Sequence, residues 1–213
     1  EMGHTLGLGH TNLIRCPNNS PDGDWSRCNA IEYGGAVDVM SNIDVKGNLS
    51  TYHQWRMGIL KDSDITQVWK TQTVELNYTN ASSGTRAIFL RDGKSTYWIE
   101  FRRSSDGYPS GLAIYRTDPP PISSIVSPNV NDGMDGPTNS VTSDVWLLNL
   151  DSFKYSSVGT ATGSPILTFA KTFLNSSGNI SISASEVNNE KVLVTVSRKP
   201  DMTPPPTPVL TNQ

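Results

Sequence analysis

The sequence predicts an α+β chain: a short N-terminal part built around a metal-ligating motif, then a larger antiparallel β-sandwich. Three observations carry this prediction. The first ten residues, Glu1-Met2-Gly3-His4-Thr5-Leu6-Gly7-Leu8-Gly9-His10, place a carboxylate and two imidazoles on a helix and the glycine turn that ends it. A short helical stretch, Tyr52–Leu60, follows the cap-forming run Asn48-Leu49-Ser50-Thr51. From about Gln72 onward the apolar period becomes two, the period of half-buried strands.

The spacing of the first ten residues has a chemical reason. One more residue before Glu1, a His, would complete H-E-x-x-H-x-x-G-x-x-H, the metzincin form of the zinc-protease motif. Positions four apart share a helix face, so that His and His4 would point at one ion. Glu1 lies on nearly the same face and is the candidate general base. Gly7 can take a positive φ and end the helix, and the turn through Leu8-Gly9 lets His10 swing back toward the ion. Three imidazoles leave a fourth tetrahedral position open, the arrangement of a catalytic zinc site. The chain has three histidines, and two of them fall at the required positions. The plainer alternative is a glycine-rich helix end with two incidental histidines. Some thirty residues on, Glu32-Tyr33-Gly34-Gly35-Ala36-Val37-Asp38-Val39-Met40-Ser41 has the form of a Met-turn, in which Met40 would floor the histidine site. Taken alone, a methionine in such a run packs a core. His53, on the short helix, reads as structural or exposed unless it serves substrate binding.

Composition sets the surroundings. At 213 residues the chain has room for a domain and a half or two small domains. A net charge of −3 gives no reason to expect nucleic acid or an anionic membrane as a partner. No apolar run approaches the roughly 18 residues of a membrane span. Cys16 and Cys28 lie close together in a polar loop and suit a disulfide, hence a secreted or cell-surface setting. Asp22-Gly23-Asp24 in that loop offers oxygens to calcium, although carboxylates around a glycine are ordinary turn chemistry. The sequence opens inside a motif and closes on a Pro/Thr-rich linker, 199–213, so further domains are expected on both sides.

Glu1–His10, the Glu32–Ser41 run and Tyr52-His53-Gln54-Trp55-Arg56-Met57-Gly58-Ile59-Leu60 together resemble the gametolysin-like metzincins, the peptidase M11 family. The resemblance implies that residues 1–65 are the lower, C-terminal part of a metzincin catalytic domain. It implies zinc held by His4, His10 and a His immediately upstream of Glu1, with Glu1 as general base toward a zinc-bound water and Met40 as the Met-turn methionine. The implied activity is that of a secreted metalloendopeptidase, a hydrolase of protein or peptide substrates. The chain as it stands, with two ligands of three and no substrate-aligning sheet, is expected to be inactive. Ser41-Asn42 follows the methionine, so no tyrosine ligand of the astacin or serralysin kind is expected. The wall that selects the substrate residue after the cleaved bond should draw on Ser41–Gln54.

The sandwich is expected over 66–198. Its strands are read at Thr73–Tyr78, Arg86–Arg91, Tyr97–Arg102, Leu112–Arg116, Val145–Leu148, Asn179–Ser183 and Lys191–Val196, with Asp92-Gly93 as a hairpin signal. Asp118–Thr142 is a breaker-rich insertion, and Asn131–Gly136 within it is a second weak calcium candidate lacking EF-hand spacing. Tyr97, Trp98, Phe101, Tyr108 and Tyr115 could line a binding platform or, on alternation, mostly fill the core. Asn77, Asn80 and Asn175 head glycosylation sequons. The alternative to a peptidase is a non-catalytic extracellular binding or adhesion module, with the sandwich doing the work and the metal site a relic. A zinc hydrolase acting on something other than peptide is a third reading.

Overall fold

The structure, a computed structural model, describes residues 2–41, 48–104, 108–118, 125–126, 143–155 and 161–200. In chain order these form α1 (Met2–Thr5), β1 (His10–Arg15), β2 (Asn29–Ile31), α2 (Thr51–Arg56), β3 (Ile65–Val68), β4 (Gln72–Asn77) and β5 (Ala87–Asp92). There follow β6 (Ser95–Arg102), β7 (Gly111–Arg116), β8 (Ile125–Val126), β9 (Ser143–Leu147), β10 (Asp151–Tyr155) and β11 (Ala161–Ser164). The last three strands are β12 (Thr172–Leu174), β13 (Ile180–Asn188) and β14 (Lys191–Arg198). The chain is mostly β, and the two α-helices among the described residues have four and six residues.

The strands make an eight-stranded sheet in the order β3-β5-β6-β7-β9-β1-β2-β8, a four-stranded sheet in the order β12-β13-β14-β4, and a β10–β11 pair. Alternation explains why the two larger sheets meet. Val192, Val194 and Val196 of β14 point inward with Val74 and Leu76 of β4 and Ile180 and Ile182 of β13. They share one apolar cluster with Ile88 and Leu90 of β5, Tyr97, Ile99 and Phe101 of β6, and Ile114 of β7. Two sheets over a common core are compatible with the expected β-sandwich. The Asp92-Gly93 signal joins β5 to β6, with Gly93 at φ 57°. All the strands read from the period-two pattern are present.

The large sheet is not antiparallel throughout. β3 with β5, β1 with β9 and β2 with β8 are parallel pairs. Alternation reports which face of a strand is buried, whereas the direction of its neighbour follows from the connections. Strands from either side of residue 65 share this sheet, and its second face is also covered. There Tyr52 and Trp55 of α2 pack on Trp98, ring centroids 5.3 and 5.6 Å away, over a cluster that includes Leu13, Val37, Leu60 and Tyr115. With both faces covered, β6 is buried from Thr96 to Arg102.

Two charges inside that layer are paired. Glu100 accepts from Arg102 Nε at 2.7 Å and Tyr115 Oη at 2.6 Å, and its other oxygen takes the Thr51 N–H and hydroxyl at 2.6 and 2.8 Å. The carboxylate of a central strand therefore seats the first turn of α2, where N–H groups lack helical partners. Ser50 is the N-cap and accepts from the His53 N–H. The helix is shorter than Tyr52–Leu60: it stops at Arg56, and Gly58 at φ 73° turns the chain so that Leu60 is buried while Ile59 stays exposed. Of the platform aromatics, Tyr97, Trp98, Phe101 and Tyr115 are buried and only Tyr108 is partly open, so alternation into the core prevails. Of the three sequon asparagines named above, Asn77 and Asn175 are buried and donate from their amides to Thr85 O and Asp92, whereas Asn80 is exposed.

Cys16 and Cys28 form a disulfide that closes the loop between β1 and β2. The hairpin register runs Leu13 to Ile31 and Arg15 to Asn29, so the bridge sits at the end remote from His10. Within the loop Asp22 is buried, and its oxygens accept from Arg116, Tyr97 Oη and the Ser176 N–H at 2.8, 2.7 and 2.9 Å. Protein donors thus occupy the first calcium candidate. Asn131–Gly136 and 201–213 lie outside the described residues. Replacing both cysteines by serine should lower stability by about 2–3 kcal/mol, the chain-entropy value for a loop of this size. Urea denaturation of the variant and of the reduced wild type should give the same loss.

Candidate functional site

The site begins with a helix that lasts one turn. The Gly7 N–H donates to His4 O at 2.9 Å and the Leu8 N–H to Gly3 O at 3.0 Å, a Schellman pair. Gly7 stands at φ 80°, where a side chain would be strained. Leu8 is buried beyond the turn, and His10 opens β1 rather than ending a loop. Its backbone is held beside β9, opposite Ser143. The expected swing back is present: His4 Nε2 and His10 Nε2 lie 3.1 Å apart with the rings edge to face. Glu1 lies outside the described residues.

The other nitrogen of each ring is committed. His4 Nδ1 is 2.9 Å from Leu8 O, and His10 Nδ1 is 2.9 Å from Glu32 Oε1. A carbonyl and a carboxylate can only accept, so both Nδ1 atoms carry the hydrogen and donate. With both Nδ1 atoms donating, the two Nε2 atoms face each other across 3.1 Å and are disposed to share a cation. Among the described residues no set of three or more His, Cys, Asp or Glu side chains is gathered to hold a metal. The site as described is a pair.

Met40 belongs to the same cluster. Its carbonyl accepts from the Thr11 N–H, next to His10, at 3.0 Å. Its side chain lies against Gly3, where an added Cβ would fall 2.3 Å from Met40 Sδ. Gly3 is therefore what lets the sulfur pass under the turn bearing His4. Upstream, the Gly35 N–H bonds Thr11 O, and a Cβ on Gly35 would fall 2.6 Å from that same oxygen. The glycine pair brings the Met40 segment against β1.

Asp38 secures the segment from the far side. One oxygen accepts from the Met40 N–H at 2.9 Å, and the other from the Ser50 N–H at 3.0 Å and His53 Nδ1 at 2.8 Å. Burial alone would raise the Asp38 carboxyl. The charge of His53 and the hydrogen bonds from His53, Ser50 and Met40 outweigh burial and hold it well below the usual carboxylate range. The third histidine is thus wholly buried against Asp38 and ties α2 to the Met40 segment, which answers the structural alternative for His53. Residues 42–47 of the expected specificity wall lie outside the described residues, and Gln54 within it is buried.

Two residues at the site were not singled out by spacing. Glu32, 4% exposed, holds His10 as above. Tyr33 lays its ring on the His10 imidazole with centroids 3.8 Å apart. It does so at φ 58°, a conformation that costs a bulky residue of order 1–3 kcal/mol. The turn is closed by the Gly34 N–H on Ile31 O, and the Tyr33 N–H is pinned to Asn12 Oδ1 at 3.0 Å. The available sequence signal was the hairpin itself, since strands from His10 and to Ile31 return Glu32 toward His10. No family model, curated protein or solved structure matches the chain.

Proposed function

We propose that this chain is the C-terminal part of a secreted zinc endopeptidase of the gametolysin-like metzincin class, with 1–65 contributing the lower half of the catalytic domain. The observation that carries the reading is the facing of His4 Nε2 and His10 Nε2 at 3.1 Å with both Nδ1 atoms already donating. A tetrahedral ion bonded to imidazole at 2.0–2.1 Å separates two nitrogens by about 3.3 Å, so the pair fits zinc. His4, His10 and a His preceding Glu1 would hold it. Zinc bound there supplies Lewis acidity and lowers the pKa of a water toward about 7.

The remaining chemistry belongs to the chain's own residues. Glu1 takes the proton of the attacking water on its carboxylate and returns it to the leaving amine. His10, buried and backbone-fixed in β1, gives the site a rigid side, while His4 is only partly buried. Met40, whose sulfur lies against Gly3 on the turn that bears His4, would serve as the apolar floor of the site. The disulfide agrees with an extracellular setting.

The test is casein cleavage by the chain extended through its upstream residues, loaded with zinc, with and without Glu1→Gln. The variant should lose about 10²–10⁴-fold in kcat, the range that a positioned acid–base group supplies. Equal rates would remove Glu1 from the mechanism.

A further inference from the structure

We infer that Glu32 is a positioning residue for His10: it fixes which ring nitrogen faces the metal, and the disulfide-closed hairpin exists in part to deliver it there. The inference rests on the zinc reading above. Metal-binding imidazoles work with one nitrogen bare, and a carboxylate on the opposite nitrogen selects that tautomer, orients the ring and makes it a stronger donor. Glu32 meets this description at 2.9 Å from His10 Nδ1, and both side chains are almost fully buried. Water competes little for the hydrogen bond, so the carboxylate is the partner that decides the tautomer.

Delivery is a matter of register. Twenty-one residues separate His10 from Glu32 in the chain, and nothing local brings them together. The antiparallel pairing of β1 with β2 sets Leu13 against Ile31, which leaves Glu32 beside the start of β1. A shift of one residue would turn Glu32 to the opposite face. The Cys16–Cys28 bridge at one end of the hairpin and the Asn12 bond to the Tyr33 N–H at the other both oppose that shift. The left-handed Tyr33 adds a cover: the strained turn that places Glu32 on one edge of the imidazole places the phenol ring on its face.

The test compares Glu32→Gln and Glu32→Ala with the wild type, all in the chain extended through its upstream residues. Glutamine keeps an oxygen that accepts from Nδ1–H and loses the charge, whereas alanine loses both. Ring ¹⁵N shifts of His10 in the metal-free protein should show the Nδ1–H tautomer in wild type and Glu32→Gln, and a mixture in Glu32→Ala. Zinc affinity by chelator competition should fall about 10–100-fold in Glu32→Ala and distinctly less in Glu32→Gln. A role confined to folding would lower the melting temperature and leave the tautomer untouched. Wild type binding zinc with Glu32→Ala equal to it in affinity and tautomer would overturn this assignment alone. Wild type failing to bind would remove the zinc reading and this assignment with it. Should Glu32→Ala fail to fold, a Glu32→Gln protein with a scrambled tautomer would equally overturn the assignment.

Discussion

Replacing His4 with alanine is expected to abolish the stabilisation that zinc confers on the chain extended through its upstream residues. With free zinc at a hundred times its Kd, binding to the folded state alone adds about 2.7 kcal/mol. For a domain near this size that is roughly 5–10 °C in Tm. His4→Ala removes one of the two facing nitrogens, and the loss of affinity should exceed the roughly 10–100-fold attached to outer partners of a metal ligand. His4 is the better choice over His10 because it is less deeply buried and its Nδ1 partner is a neutral backbone carbonyl, Leu8 O, not a carboxylate. His10→Ala would instead leave the buried Glu32 carboxylate without its donor and lower stability for a reason unrelated to zinc. The measurement is a thermal melt with and without zinc, and an equal zinc shift in wild type and His4→Ala would remove His4 from the ligand set.

The second large effect is structural and reaches the site from behind. Asp38→Ala should destabilise the chain by about 3–5 kcal/mol, the range for breaking a buried ion pair by removal of one partner. It strands His53 in the core and leaves the Met40 and Ser50 N–H groups without an acceptor. The expected fall in Tm is on the order of 10 °C. The pH dependence follows from the sign of the shift. The folded Asp38 carboxyl lies below the unfolded value of about 3.9, so its contribution is complete above about pH 5. That contribution is lost as pH falls through the depressed folded value. Asp38→Ala should therefore differ most from wild type at neutral pH and approach it under strong acid, as urea denaturation along a pH series would record. A constant difference down to strong acid would show that the carboxylate charge is not what stabilises this pair. Because the Met40 N–H is released as well, the variant should also bind zinc more weakly.

These predictions differ in how far they could be reached from sequence. The facing of His4 and His10 was legible because everything needed is local: a helical turn, a glycine with positive φ and three more residues. That Met40 would come near the histidine turn was legible through its distance from the histidines in the chain, and its sulfur does lie against Gly3. The reason it fits, a bare Cα at Gly3, was not, since the packing of a sulfur on a glycine joins segments far apart in sequence. Glu32 carries no spacing signature of its own and becomes informative only when the register of β1 and β2 is known. Glu100 and Arg102 look like ordinary outward residues of an alternating strand, and it takes the covering layer of α2 to make them a buried pair.

Read as a string, this protein determined its period-two strands, the Asp92-Gly93 turn, the pairing of its only two cysteines and the helix-breaking glycine that returns His10 to His4. Each of these is set by forces acting over a few residues or by a count with one solution. The tertiary structure decided which strands run parallel, that both faces of the large sheet are covered, that His53 serves Asp38, and that Glu32 and Tyr33 hold His10. Those outcomes depend on burial, and burial is settled only when distant segments compete for the same apolar faces and the same hydrogen-bond donors.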